Sequence, residues 1–198
     1  IKNAPEKKSS VFRKKFKINE KDIIYIYQGI LTKERGIHLL LDTFKNLKKS
    51  NHIVFMGYGP LKKILINESK KYSNIHFQDA VNVNEIMKYS SSADIGLLLT
   101  SKFQGLSYKY SLANKIHEYL MAGLPILVSN HFEYTSEILK KFNSGWSINS
   151  TKNNLLNFIN NTSKEDILKK HKYVKNHSKT IGWEHEEKKF RFIYNCKS

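Results

Sequence analysis

Cysteine is nearly absent from this sequence, which has Cys196 as its only thiol in 198 residues. One cysteine cannot form an intramolecular disulfide, and it cannot build the cysteine cage of a structural metal site. Because chains without disulfides are typical of reducing compartments, we expect a cytoplasmic protein. The sequence also lacks D-x-D and H-E-x-x-H motifs and any tight cluster of His, Asp and Glu, so we predict no protein-held metal.

Acidic residues are half as frequent as basic ones, with 17 Asp and Glu against 34 Lys and Arg, and the formal net charge is +17. A chain this basic attracts polyanions such as phosphates, nucleic acids or an anionic membrane surface. Arginine is scarce, however, because only Arg13, Arg35 and Arg191 are present. Nucleic-acid readers depend on arginine for paired contacts to bases and phosphates, so the sequence argues against nucleic acid as a partner.

Long apolar runs are absent as well. No segment approaches the roughly 20 apolar residues that span a bilayer, and the first residues lack the apolar region of a secretory signal. We therefore expect a cytoplasmic protein, either free or resting on the inner face of a membrane. Residues 1–22 are basic, and we expect them to be a linker from a domain that precedes this chain.

The sequence does contain a regular alternation of two patterns. Short β-branched and aromatic runs predict buried strands, and apolar residues at helical spacing predict amphipathic helices between them. The predicted strands are 23–28, 52–56, 75–78, 94–99, 125–129 and 145–148, and the predicted helices are 37–47, 61–71, 84–89, 113–122 and 132–142. This order predicts an α/β fold with a doubly wound parallel sheet of about six strands over residues 23–150, followed by C-terminal helices over 151–198.

Ligands of such sheets bind beyond the carboxyl ends of the strands, so the loops there are where a site is expected. Gly29 lies in the first of these loops, and Gly57 and Gly59 lie in the second. A missing Cβ lets the backbone approach a ligand, and the helix that follows offers N–H groups to an anion. A phosphate-bearing ligand is thus expected, although neither G-x-G-x-x-G nor G-x-x-x-x-G-K-[ST] occurs.

Three charged residues are candidates for chemistry. Arg35 lies in the first loop, where its fork of donors could face a diphosphate. Lys115 and Glu118 are spaced i and i+3, which places them on one face of the predicted 113–122 helix. From the residues alone each has a plainer interpretation, because Arg35 can be a solvated charge beside Glu34 and the other two can form an exposed helical ion pair. The polar segment 100–112 before this helix is predicted as a loop.

Four segments stand in an order that resembles a known family. They are Tyr27-Gln28-Gly29 with Glu34-Arg35-Gly36-Ile37, then Ile53-Val54-Phe55-Met56-Gly57-Tyr58-Gly59-Pro60, then Ser92-Ala93-Asp94-Ile95-Gly96, and the block SLANKIHEYLMAGLP from Ser111 to Pro125. Together they resemble the nucleotide-binding C-terminal half of GT-B-fold glycosyltransferases of family 4, the glycosyl transferases group 1. The resemblance extends from about residue 23 to residue 150.

The resemblance implies a donor site for a nucleoside diphosphate sugar, without a metal or other cofactor and with retention at the anomeric carbon. Arg35 and Lys115 would neutralise the diphosphate, and Glu118 would accept the ribose hydroxyls. Backbone N–H groups near Asn114 would cap the diphosphate at a helix N-terminus, and residues around Val81 would border the base. The remaining substrate contacts are expected from Gly29, Gly57, Gly59, Tyr110 and Leu112.

Two positions depart from the family pattern. Ile30 stands where an arginine often follows the first-loop glycine. Tyr110 stands where the family has the first of two glutamates with seven residues between them, and Glu118 is the second. Because that first glutamate meets the sugar, the identity of the sugar stays open, with a UDP-sugar favoured as donor.

The leading hypothesis is therefore the donor-binding half of a glycosyltransferase of the hexosyltransferase type. Its acceptor would be a bacterial surface glycan or a lipid-linked molecule, held by an acceptor domain upstream of residue 1. This fragment alone would bind nucleotide and transfer nothing, and its lysines would suit contact with an anionic membrane. Two alternatives remain open: a sugar-nucleotide epimerase of the same fold, and a non-enzymatic basic α/β module that binds nucleic acid or membrane.

Overall fold

The computed structural model of the protein describes residues 8–100, 106–110 and 114–181. Its strands form one six-stranded sheet in the order β3-β2-β1-β4-β5-β6, and all of their pairings are parallel. The strands are β1 (Ile23–Ile30), β2 (Asn51–Tyr58), β3 (Ile75–Asp79), β4 (Ile95–Leu98), β5 (Ile126–Ser129) and β6 (Gly145–Ile148). The order reverses between β1 and β4, so the predicted doubly wound sheet is confirmed and its switch point lies at the carboxyl end of β1.

Helices connect the strands and cover both faces of the sheet. They are α1 (Val11–Phe16), α2 (Ile37–Phe44), α3 (Lys62–Lys71), α4 (Val83–Ser90), α5 (Leu106–Tyr110), α6 (Asn114–Met121), α7 (Glu133–Lys141), α8 (Lys152–Asn161) and α9 (Lys164–Ile181). Residues of α2, α3 and α8 pack in one hydrophobic cluster, and residues of α1, α6 and α7 pack in a second. Within the described ranges, no helix is both long and apolar enough to cross a bilayer.

β1 explains why the sequence shows a continuous apolar run there. Tyr25 and Tyr27 belong to the first hydrophobic cluster, whereas Ile24 and Ile26 belong to the second. Successive side chains of a strand point to opposite faces of the sheet, so a strand covered by helices on both faces needs apolar residues at every position.

The first two strands each extend two residues further at their carboxyl ends than predicted. Gly29 pairs with Gly57, and Ile30 pairs with Tyr58, so the ladder continues past the last apolar residue of each run. Gly57 has φ +153°, and a Cβ at this position would lie 1.9 Å from the carbonyl oxygen of Gly29. Glycine is therefore required there, because it allows the two strands to stay paired up to the edge of the sheet.

Part of the expected linker is instead integrated into the domain. Residues 11–16 form α1, in which Phe12 is fully buried and Arg13 is only 7% exposed. Arg13 Nη2 donates to Asp94 Oδ2 at 2.9 Å, and the same carboxylate oxygen accepts the Ile24 N–H at 2.8 Å. The basic run suggested a solvated segment, but one of its charges has a buried partner 81 residues away.

The C-terminal helices share the core of the sheet domain. Leu155 and Ile159 of α8 lie in the first hydrophobic cluster, and Val174 of α9 lies in the second. Residue 150 therefore marks a change from strands to helices and not the edge of a separate core. The rest of the predicted C-terminal helical segment, residues 182–198, lies outside the described residues.

The predicted loop over residues 100–112 contains a short helix, α5. It is held against α7 by Lys109, whose Nζ lies 3.0 Å from Glu133 Oε2. A helix of five residues is too short to show a periodic apolar pattern, which is why the sequence did not predict it. The next helix, α6, was predicted almost to the residue, and Gly123 ends it with φ +78° as a C-cap glycine does.

Candidate functional site

A cleft of about 500 Å³ opens at the carboxyl edge of the sheet, beside the switch point. Its walls come from the ends of β1 and β2, the segment after β3, and helices α4 and α6. The polar and charged side chains that line it are Gln28, Arg35, Asn114, Lys115 and Glu118. Its larger apolar side chains are Ile30, Met56, Tyr58, Val81 and Ile86. The cleft thus presents both charged and apolar side chains to a ligand.

Seven of the ten predicted site residues meet in this cleft, namely Gly29, Arg35, Gly57, Val81, Asn114, Lys115 and Glu118. Gly59 does not line the cleft. This glycine lies in the turn after β2, where a Cβ would be 2.7 Å from the carbonyl oxygen of Leu31. Tyr110 does not line it either and is 64% exposed on α5. Leu112 lies outside the described residues.

Lys115 carries an ammonium group that the fold largely shields from water. Its Nζ lies 4.4 Å from the centroid of the Tyr27 ring and packs against the backbone of Gly29, where a Cβ would be 3.3 Å away. Burial, as the largest cause, and the cation of Arg35 lower the pKa of Lys115 from 10.5 to about 8, although Glu118 partly opposes the change. No carboxylate of the described residues forms an ion pair with Lys115, so an anion in the cleft would find a cation that Glu118 offsets only in part.

Arg35 reaches the cleft from a single 3-10 turn, Lys33–Arg35, that follows β1. The next residue, Gly36, has φ +71°, and a Cβ there would lie 2.5 Å from the carbonyl oxygen of Leu99. This close approach of the turn to β4 fixes where the side chain of Arg35 leaves the backbone. Arg35 and Lys115 repel each other, since Arg35 lowers the pKa of Lys115. An anion with two or more charges between them would remove that repulsion.

Glu118 lies one turn after Lys115 on the same face of α6 and presents its carboxylate to the cleft. Its Oε2 accepts a hydrogen bond from Nε2 of Gln28. The opposite face of α6 is buried, with Ile116, Tyr119 and Leu120 almost fully covered, as the sequence predicted. One helix face therefore supplies both a cation and a hydrogen-bond acceptor to the cleft.

The apolar side chains of the cleft include residues that the sequence did not single out. Tyr58 is 61% exposed at the end of β2, and Ile86 comes from α4. Met56 completes this surface from β2. A flat aromatic ligand would find both an aromatic ring and aliphatic side chains here. The exposed Tyr58 stands between two glycines, which is the one sequence signal for it, whereas nothing in the sequence distinguishes Ile86.

Gln28 is the other residue that the sequence did not identify. It is only 4% exposed at the end of β1, and both atoms of its side-chain amide are hydrogen-bonded. The sequence signal for Gln28 was its place as a polar residue at the end of an otherwise apolar run. Elsewhere in the residues that the structure describes, no three His, Cys, Asp or Glu side chains come together in a way that could hold a metal ion.

Comparison with known proteins gives the same picture at the level of the fold. A search of the curated proteins finds no match. Among solved structures, WaaG, a glycosyltransferase involved in lipopolysaccharide biosynthesis, is 18% identical with a TM-score of 0.71, and the match covers 96% of this chain and 51% of WaaG. Anabaena Alr3699/HepE, solved with UDP and glucose, is 16% identical with a TM-score of 0.65, covering 85% of this chain and 45% of HepE.

A third structure corresponds to this chain over nearly its own full length. The C-terminal domain of LpcC, a glycosyl transferase group 1 family protein from Francisella tularensis, is 17% identical with a TM-score of 0.67. The match covers 90% of this chain and 94% of that domain. At these identities the likeness establishes the fold, and the chain spans about half the length of WaaG and HepE.

The family described as glycosyl transferases group 1 matches residues 8–180, which is most of the chain. The match includes α1, in agreement with the packing of that helix into the domain. It also confirms the resemblance seen in the sequence motifs. The chain belongs to the glycosyl transferases group 1 family.

Proposed function

We propose that this chain is the donor-binding half of a glycosyltransferase that takes a sugar from a nucleoside diphosphate sugar, with UDP favoured as the nucleotide. The observation that carries the proposal is the meeting of Arg35, Lys115 and Glu118 in one cleft at the switch point of the sheet. HepE, which shares the fold, was solved with UDP and glucose, and this supports the choice of nucleotide.

The cationic side chains of the cleft suit the charge that develops during transfer. Breaking the bond between the sugar and the phosphate places negative charge on the leaving diphosphate. Arg35 and Lys115 already lie on the cleft wall, and the amino end of α6 at Asn114 adds the positive end of a helix dipole. These groups can stabilise the leaving group without a metal ion, which is the reason we propose metal-independent transfer. Retention at the anomeric carbon follows from the family resemblance alone.

The remaining parts of the proposal concern the intact protein. The chain spans about half the length of WaaG and HepE, so we propose that an acceptor domain precedes it and that this fragment alone binds donor without transferring sugar. We propose a bacterial surface glycan or a lipid-linked molecule as acceptor, because WaaG acts in lipopolysaccharide biosynthesis. A net charge of +17 supports contact with the anionic inner face of a membrane.

Calorimetric titration of the 198-residue chain with UDP, GDP and ADP tests the proposal. We expect saturable binding of one nucleotide, UDP first among them, and the same affinity with and without EDTA. Glu118→Ala should weaken this binding about tenfold, because the ribose loses a charged hydrogen-bond acceptor. Glu137→Ala, an exposed carboxylate on α7 outside the cleft, is the matched control and should change nothing. Binding that disappears with moderate salt and ignores Glu118 would instead favour the polyanion-binding module.

The affinity for UDP should also fall as the pH rises above 8. Lys115 has a pKa of about 8 in the free protein, and a bound diphosphate raises that pKa because it stabilises the ammonium form. Binding therefore takes up a proton at high pH, and the dissociation constant should increase up to about tenfold per pH unit between 8 and the pKa of the complex. The terminal phosphate, with a pKa of about 6, is already ionised there.

This pH dependence is measured by the same titration at pH 7.5, 8.5 and 9.5 at constant ionic strength. Lys115→Met should lose the fall in affinity between pH 7.5 and 8.5, since the group that titrates there is gone. A wild-type affinity that stays constant up to pH 9.5 would contradict the proposed contact between Lys115 and the diphosphate.

A further inference from the structure

The buried amide of Gln28 joins three elements at the back of the cleft. Its Nε2 donates to Oε2 of Glu118 on α6, and its Oε1 accepts the hydroxyl of Ser90 at 2.5 Å. Ser90, at the end of α4, is completely buried. The carboxylate of Glu118 selects one orientation of the amide, because the flipped orientation would place the carbonyl oxygen of Gln28 against a carboxylate oxygen.

The backbone of the same residue is held by the neighbouring residue of α6. The N–H of Gln28 donates to Oη of Tyr119 at 2.9 Å, and Oη donates in turn to the carbonyl oxygen of Ile26 at 3.2 Å. Consecutive residues of α6 thus contact the side chain and the backbone of one residue of β1. This arrangement leaves the amide of Gln28 little freedom to move relative to Glu118.

We propose that Gln28 is a positioning residue that orients the Glu118 carboxylate toward the cis-diol of the nucleoside's ribose, and so determines the preference for ribonucleotides over deoxyribonucleotides. The inference rests on the proposed function, because it assumes that a nucleoside diphosphate occupies the cleft. Gln28 acts through Glu118 and is not itself a catalytic residue.

The hydrogen-bonding capacity of the carboxylate supports this role. Each carboxylate oxygen can accept two hydrogen bonds, so the bond from Gln28 uses one of the four acceptor positions of Glu118. One position on Oε2 and both positions on Oε1 remain for ligand hydroxyls. With Oε2 held at a fixed place, the carboxylate cannot rotate freely, and the two vicinal hydroxyls of a ribose meet a preorganised pair of acceptors. A sugar without those hydroxyls gains nothing from this arrangement.

Calorimetry with UDP and 2′,3′-dideoxy-UDP as probes tests the inference. The wild-type chain should prefer UDP, and Gln28→Met should reduce that preference about tenfold, because the side chain keeps its volume but loses the donor to Glu118. Ser90→Ala should reduce the preference in the same direction by a smaller factor, since the amide loses the hydrogen bond to its Oε1 but keeps its donor to Glu118. Thermal unfolding of each variant establishes that the domain is folded.

The matched control is Gln78→Met, which changes another buried glutamine, near the end of β3. Its amide contacts Lys15 and the carbonyl oxygen of Asp79, away from the cleft, so the UDP preference should stay as in the wild type. In a Glu118→Ala background, Gln28→Met should have no further effect on the preference, because the residue through which it acts is gone.

The outcomes separate this inference from the proposed function. If the wild-type chain binds neither probe, the proposed function fails. If it binds UDP but Gln28→Met keeps the full preference for ribose, or if Gln28→Met changes the preference equally in the Glu118→Ala background, the positioning role of Gln28 is overturned while the nucleotide site stands. A wild-type chain that binds both probes equally also overturns it.

Discussion

Lys115→Met is expected to weaken UDP binding at least a hundredfold and, at the same time, to stabilise the nucleotide-free protein by about 2–3 kcal/mol at pH 7. The loss of binding follows because the diphosphate loses a partly desolvated cation. The gain in stability follows because burial of that cation costs free energy when no anion is bound: a pKa lowered from 10.5 to about 8 corresponds to about 3 kcal/mol. A methionine fits the same apolar contact with the Tyr27 ring.

The size of the stability change produced by Lys115→Met depends on pH. Below pH 8 Lys115 is protonated in both the folded and the unfolded states, so the full cost of burying the charge is present. Between pH 8 and 10.5 the folded state releases the proton while the unfolded state keeps it, and the cost disappears. The advantage of Lys115→Met should therefore be largest at pH 7 and should have shrunk by pH 10.

Urea unfolding at these two pH values, together with calorimetry of UDP binding at pH 7, measures both effects. Lys63→Met, at an exposed position on α3, removes a lysine outside the cleft and should leave affinity and stability nearly unchanged. A Lys115→Met protein that is less stable than the wild type at pH 7 would show that the ammonium has a stabilising partner in the free protein.

Asp94→Ala should cost about 3–5 kcal/mol of unfolding free energy, a large part of the 5–15 kcal/mol typical of a whole domain. The carboxylate is buried and accepts from Arg13 Nη2, from the N–H of Ile24 and from the ammonium of Lys8. Removing it leaves the Arg13 guanidinium, itself 7% exposed, in the interior without its counter-charge. Urea unfolding monitored by circular dichroism gives the change directly.

Glu20→Ala is the matched control for the same arginine. Glu20 Oε2 also lies near Arg13, 3.6 Å from Nε, but its side chain is 85% exposed, so its removal should cost less than about 1 kcal/mol. The double change Arg13→Met with Asp94→Leu should be less destabilising than the sum of the two single changes, because it removes both buried charges together. Additive costs would contradict a direct interaction between them.

The fold was predictable because its strands are covered on both faces. Burial on both sides forces the uninterrupted apolar runs at 23–28 and 52–56, and the amphipathic helices between them then specify a parallel sheet. The two parts that were not predicted, α1 and α5, are both short. Each is held in part by a long side chain, Arg13 or Lys109, that pairs with a carboxylate distant in the sequence. Local patterns carry no information about such pairs.

The candidate site was predictable where residue type and spacing were sufficient. The i, i+3 spacing of Lys115 and Glu118 places both on one helix face. The family motif that contains them predicted their position beside the switch point. Gln28 could not be recognised in this way, because its partner Glu118 is 90 residues away and its role depends on the burial of Ser90. A buried amide becomes visible only when the elements around it are assembled.

The anchoring of β1 at both ends has a mechanical consequence. Near its amino end the Ile24 N–H is bonded to Asp94, which α1 also holds through Arg13, and near its carboxyl end Tyr119 holds Gln28 beside the cleft. A strand of eight residues spans about 26 Å, so these two anchors fix β1 over its whole length. A movement of α6 would therefore displace β1 and the cleft wall together, and the Arg13–Asp94 pair at the other end of the strand would resist it.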